Sequence, residues 1–307
     1  MKHVVSVSTG SSARDKRVEV ELLGEKFLIE RRGTDGDFRR AAELIAELDG
    51  EVDAIGLGGV DLYVYCAGRR YVWRSSQKLA SRARKTPVVD GSGLKNTLER
   101  MTVQYIAEHN IVPLRGTPAL VVCAVDRFGM AEALYDAGCD LRMGDVAWAL
   151  GVPVLIRSWW TLKLLARTLL PILTRLPQEW FYPSGERQRA ITPKFEKFYR
   201  WAKIIAGDFH FIRRYMPDDL AGKVILTQTI TEDDIAELKK RRVHLLITST
   251  PEFDGRSFGT NVMEAVVLTL LGKRPEEATP EEYLEVLGKL GWRPRVTELC
   301  PQAGGGG

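Results

Sequence analysis

The chain has 307 residues, 45% apolar and 27% charged, which is ordinary globular composition and length enough for two domains of roughly 150 residues. Its 44 basic and 40 acidic residues are mixed along the sequence and leave a formal charge of +4, so no concentrated field draws a nucleic acid. Cys66, Cys123, Cys139 and Cys300 are scattered with no CxxC pair, which excludes a disulfide scaffold and reads as mostly buried, reduced thiols.

The first residues, MKHVVSVSTG, hold no apolar signal core, so cytoplasmic residence is expected. Period-two runs then predict strands over 3–8, 18–22 and 27–31, with Gly24 turning a hairpin between the last two, and a helix over 38–48. A buried strand over 52–57 follows, then two runs (62–67 and 70–73) about a turn at Gly68, and a helix over 77–84. A strand over 86–89 runs into Asp90-Gly91-Ser92-Gly93, which opens a helix over 94–109.

From Pro118 the alternation is regular: strand 119–124, helix 130–137, strand 140–143, helix 146–150 and strand 153–156. Helices over 159–176 and 193–201 interrupt it, and it resumes with strands 203–206, 223–227 and 244–248 and a helix over 232–240. Helices over 261–271 and 280–290 close the chain. Such spacing predicts parallel βαβ units and an α/β fold with a Rossmann-like, mostly parallel sheet. The expected domains are a mixed α/β unit over 1–115 and a nucleotide-binding unit over 116–272 with a helical insertion at about 157–201. A helical segment over 273–303 and a flexible tail over 304–307 complete the division.

The dinucleotide outline is clearest at Val125, Asp126, Arg127, Phe128, Gly129 and Met130, a turn between a strand and a helix. There, free amides and the helix dipole favour a pyrophosphate. Asp145, about twenty residues on, is positioned to meet ribose hydroxyls and favours NAD over NADP, since a carboxylate repels a 2′-phosphate. The turn has one glycine where the full fingerprint has three, and a plain structural βαβ turn is the alternative.

Asp90, Ser92 and Asn96 are candidate substrate contacts at the second glycine turn, with Lys95 as acid or base; a capped helix with a solvated lysine is the alternative. His210, with Asp208, follows a strand where open sheets bind ligands, and is the second acid–base candidate beside a structural histidine. Thr250, Arg256 and Asn261 lie in polar loops suited to a carboxylate or phosphate, or merely to capping a helix. No metal site is expected, because the histidines and cysteines lack ligand spacing. Residues 159–181 are rich in Trp and Leu but carry Lys163, Arg167 and Arg175. Packing on the sheet is their first reading, and a lid or membrane-surface contact the second.

The segments GTDGDFRRAAELIAELDGEVDAIGLGGVDLY, TPVVDGSGLKNTLER, VDRFGMAEAL, AGDFHFIRRYMPDD and GRSFGTNVMEA together resemble a bacterial quinate dehydrogenase-like family over nearly the whole chain. The resemblance implies a Rossmann dehydrogenase. The sequence lacks the glycine-rich cofactor turn and the proline-lysine catalytic motif of quinate and shikimate dehydrogenases, so no catalytic residue is carried over. The expectation is therefore an NAD- or NADP-dependent oxidoreductase on a small polar alcohol or carbonyl metabolite of the quinate or shikimate kind, bound between the domains. A lyase, isomerase or transferase without nicotinamide, and a non-catalytic metabolite sensor, stand as alternatives; homo-oligomerisation is left open.

Overall fold

In the computed structural model, residues 1–178, 191–228, 230–250, 252–253, 256–257 and 259–301 are described, those at 252, 253, 256 and 257 by backbone alone. The chain is α/β, with parallel-rich sheets in two compact units. The first comprises Met1–Thr97, Arg167–Arg187 and Phe258–Trp292; the second comprises Leu98–Ala166, Gln188–Ser257 and Arg293–Gly307.

The elements of the first half are β1 (Lys2–Ser8), β2 (Lys16–Leu22), β3 (Glu25–Gly33), α1 (Phe38–Leu48), β4 (Ala54–Gly58), β5 (Tyr63–Cys66), β6 (Arg69–Val72), α2 (Arg74–Ala80), β7 (Val88–Val89) and α3 (Ser92–Glu108). Next come β8 (Pro118–Val121), α4 (Phe128–Asp136), β9 (Asp140–Met143), α5 (Asp145–Leu150), α6 (Trp159–Leu173), α7 (Glu196–Trp201), β10 (Ile204–Ala206), α8 (Phe209–Tyr215) and β11 (Val224–Thr227). The chain closes with α9 (Glu232–Lys240), β12 (Leu245–Thr248), β13 (Glu252–Phe253), β14 (Arg256–Ser257), α10 (Thr260–Leu271), α11 (Pro280–Lys289) and β15 (Arg295–Glu298).

The first unit carries a five-stranded sheet in the order β2-β3-β1-β4-β7, parallel except for the β2–β3 hairpin. The expected turn at Gly24 is a two-residue loop, with Leu23 and Gly24 both at positive φ between paired Leu22 and Glu25. On one face of the sheet Val5, Val7, Ile55 and Leu57 meet Ala41, Leu44, Ile45 and Leu48 of α1. That i, i+3, i+4, i+7 stripe is why 38–48 folds as an amphipathic helix. Pleat alternation turns Ser6 and Gly56 to the other face, where Asn261 at the start of α10 donates to Ser6 Oγ at 2.8 Å. Any side chain at Gly56 would meet the Asn261 carbonyl at 2.9 Å.

The second unit carries a six-stranded sheet in the order β15-β12-β11-β10-β8-β9, parallel except for β15. Strands β10, β11 and β12 are buried along their whole length, which is why they read as unbroken apolar runs. From β8 the chain winds outward to β9, then returns to β10 on the other side of β8. The β8–β10 gap is thus a topological switch point.

Several expectations shift. Residues 153–156 form no strand; Ile156 makes only an isolated antiparallel bridge with Met143 after Gly151 ends α5 in the left-handed conformation. The strand expected to 124 stops at Val121, and 122–127 are turn. The helix expected over 193–201 begins at Glu196. The segment 273–303 is not one element: α11 packs with α10 in the first unit, and β15 adds antiparallel to β12 in the second. The insertion 157–201 is likewise divided between the units. Of the four cysteines only Cys66 is fully buried, and none forms a disulfide.

Candidate functional site

At the carboxyl end of β7 in the first unit, the chain turns through Asp90 and Gly91 into α3. Asp90 Oδ2 accepts from Leu62 N at 2.6 Å and from Ser92 Oγ at 2.5 Å, while Oδ1 accepts from Ser92 N at 3.1 Å. Gly91, at φ +95°, donates its N–H to Glu264 Oε2 at 2.7 Å, and Tyr283 donates its hydroxyl to Glu264 Oε1 at 3.2 Å. A Cβ at Gly93 would overlap Glu264 Oε1 and lie 3.2 Å from Tyr63 Oη. Glycine there lets the acid and the phenol close on the first turn of α3.

The electrostatics of this cluster are unusual. Burial, reinforced by the charge of Asp90, pushes the Glu264 carboxyl up to about 8, against the Gly91 and Tyr283 hydrogen bonds that favour its ionised form. Burial likewise raises Asp90, opposed by its Ser92 and Leu62 bonds and by Lys95. Tyr63 and Tyr283 are raised by burial and by Glu264, and so remain neutral. Two buried, neighbouring carboxyls thus disfavour charging both, an arrangement that keeps one carboxylic acid protonated near neutral pH. Asn96, one turn on from Ser92, has a buried Oδ1 that receives no hydrogen bond among the described residues. Lys95 is half-buried on the same turn, its N–H bonded to Gly91 O at 2.7 Å.

In the second unit, at the switch point, Arg127 is buried among three carboxylates. Its Nη1 lies 3.3 Å from Glu99 Oε1, its Nε 3.1 Å from Asp126 Oδ2, and its Nη2 pairs with Asp208. Gln228 Nε2 adds a bond to Glu99 Oε1 at 3.2 Å. Three backbone donors of the turn are also taken by carboxylates of the chain. Asp145 accepts from Ala124 N at 3.1 Å and Val125 N at 2.8 Å, and Glu99 Oε2 accepts from Met130 N at 3.2 Å. Burial pushes Asp145 up to about 6 despite those two amide bonds.

The sequence predicts a dinucleotide at this turn, and the amides of Ala124, Val125 and Met130 are not open to one. Carboxylates of the chain stand where a pyrophosphate would meet amides, and Arg127 is committed to three acids. This corrects the expected roles of several residues. Asp145 folds back on the turn rather than reaching for a ribose, and Val125 lends it an amide. Asp126 pairs with Arg127. Phe128, Gly129 and Met130 are buried, with Phe128 stacked on Trp159 at 4.9 Å.

Asp208 is the N-cap of α8, accepting from His210 N at 2.9 Å, and its other oxygen serves Arg127. It contacts the His210 backbone, while the His210 side chain is exposed, so no His–Asp proton relay forms. Thr250 is buried beyond β12 in the second unit. Asn261 starts α10 in the first, bonded to Ser6. Arg256 lies in the β13–β14 hairpin, and its side chain is outside the described residues.

Of the sequence candidates, the structure gathers Asp90, Ser92, Lys95 and Asn96 on one turn, and Arg127, Asp126 and Asp208 in one ion cluster. Sequence reasoning missed Glu264, Tyr63, Tyr283, Glu99 and Gln228. Glu264 had a signal: it is the lone charged residue in the mostly apolar helix TNVMEAVVLTLL, where a buried charge needs a reason. Among the described residues no cluster of His, Cys, Asp or Glu could hold a metal ion, and no helix is long and apolar enough to cross a membrane.

The fold and these sites define an α/β protein of two parallel-sheet units with acidic clusters at strand ends. By residues 93–299 the chain belongs to the family described as "Domain of unknown function (DUF8754)", and residues 3–90 match "Domain of unknown function (DUF8753)". No curated protein matches it. Among solved structures it is similar to a hetero-hexameric glutamate dehydrogenase from Thermus thermophilus: 14% identity, TM-score 0.40, over 94% of this chain and 73% of that one. It is also similar to an NAD-dependent malic enzyme from Thermotoga maritima (10%, 0.37, 94% and 84%). A third is a periplasmic ribose ABC transporter from Conexibacter woesei (10%, 0.39, 94% and 94%). Likeness at this level carries no argument about function.

Proposed function

We propose that the chain is a proton-transfer enzyme, of the lyase or isomerase kind, acting on a small carboxylated or hydroxylated metabolite at the turn where β7 meets α3. The observation that carries this reading is Glu264, a carboxyl held neutral to about pH 8 by burial beside Asp90. A neutral acid next to a phenol is a donor pair suited to a developing oxyanion. Glu264 and Tyr63 act as donors to the reacting oxygen. Asp90, as a carboxylate, sets their protonation and takes the proton that leaves carbon, and Lys95 holds the substrate's negative end. The unfilled acceptor at Asn96 Oδ1 takes a substrate hydroxyl.

The test is exchange of ligand C–H protons with D2O, followed by NMR over a panel of hydroxy and keto acids, for the wild-type chain and Glu264→Gln. Exchange that Glu264→Gln reduces by about 100-fold or more supports the assignment. Exchange unaffected by that change sinks it.

A second reading is an NAD(P)-dependent oxidoreductase acting on a small polar alcohol or carbonyl, favoured by the switch point between β8 and β10. It requires Asp145 and Glu99 to give up the turn amides. Calorimetric titration with NAD and NADP decides it, since the first reading expects no heat from either.

A further inference from the structure

From Val146 to Gln178 the sequence contains no aspartate or glutamate, yet carries Arg157, Lys163, Arg167 and Arg175. Helix α6 lies within this stretch. One of its faces buries Leu162, Ala166 and Leu170. The other is exposed along Trp160, Leu164, Arg167 and Pro171, which stand at i, i+4, i+7 and i+11 and so share one line of the helix. Trp160 is 70% exposed and Leu164, on the same line, 43%. Large apolar side chains this open, grouped on one helix face, ask for a partner.

We propose that this face of α6 docks on an anionic lipid surface. Charge complementarity selects the partner: the helix joins an exposed tryptophan and leucine edge to Lys163 and Arg167 and contains no acid of its own, the composition of helices that lie in a membrane interface. A second copy meeting it face to face would set Arg167 and its neighbours against the same cations. Leu150 and Val154, on the segment leading to α6, are 72% and 54% exposed as well. The helix lies on the surface; it is not long enough to cross. None of these residues belongs to the acid site, so the two proposals fail independently.

The test is co-sedimentation of the full chain with phosphatidylcholine vesicles, with and without phosphatidylglycerol. Expected are binding to the anionic vesicles alone, loss of at least tenfold in partitioning for Arg157→Glu/Arg167→Glu, and a comparable loss for Trp160→Ser/Leu164→Ser. Because the substituted side chains are exposed, circular dichroism should show both variants folded. Absence of binding to anionic vesicles overturns the proposal. So does a concentration-dependent dimer in sedimentation equilibrium that Trp160→Ser/Leu164→Ser abolishes, which would assign the face to a second copy.

Discussion

Glu264 Oε2 accepts the backbone N–H of Gly91 at 2.7 Å, so an acid on α10 closes the glycine turn that launches α3, 173 positions away in sequence. The bond ties a late helix to the edge of the first sheet and places a carboxyl beside Asp90, where neither group ionises easily. This single contact places a carboxyl with raised proton affinity at the start of a helix.

The raised Glu264 fixes the sign of a stability profile. Its folded value of about 8 lies above the ordinary 4.5, so between those values the folded state holds a proton the unfolded state has lost. Stability therefore falls as pH rises through that window. Thermal denaturation from pH 5 to 9 should show a falling Tm for the wild-type chain and a flatter profile for Glu264→Gln. Infrared spectroscopy should detect a protonated carboxyl at pH 7 that the variant lacks. An unchanged slope would remove Glu264 as the cause.

Arg127 should be costly to truncate. Arg127→Met leaves Glu99, Asp126 and Asp208 without their shared cation, and breaking a buried pair costs about 3–5 kcal/mol. Urea denaturation measures this, and a loss below about 1 kcal/mol would show that the cluster is internally compensated.

Asp145→Ala uncovers the Ala124 and Val125 amides. A loss of about 1–3 kcal/mol in chemical denaturation is expected at pH 8, where the carboxylate is ionised. Tighter NAD binding by this variant than by wild type, read by calorimetry, would show that the turn is a latent phosphate site closed by its own acid. Equal absence of binding in both would show that Asp145 is simply part of the fold.

Gly93→Ala should damage the acid site more than a surface glycine change does, because the added methyl overlaps Glu264 Oε1. Expected is a destabilisation of about 1–3 kcal/mol together with a shift of the infrared carboxyl band. At Gly222, where a Cβ meets nothing, the same substitution should cost only the strain of its φ of +70°, with the band unmoved.

The sequence by itself determined the elements whose cause is local. The period-3.6 stripe of 38–48, the hairpin glycine Gly24 and the largely apolar runs of β10 to β12 each carry their own signal, and together they announce a parallel α/β protein. The Asp90 turn was legible too, since glycines between a strand and a helix mark a backbone that approaches something. What it approaches was not legible. Glu264 reaches it on α10, which packs on the first sheet, Tyr283 on α11, which packs on α10, and Tyr63 from β5; contacts that distant in sequence leave no pattern in a local window. The fate of the dinucleotide turn was likewise tertiary. Composition allowed Asp145 to meet a ribose or its own turn, and only the return of β9 beside β8 brought the carboxylate within 3.1 Å of the Ala124 amide. Local chemistry chose the elements; long-range packing chose which acids are buried, and burial set their proton affinities.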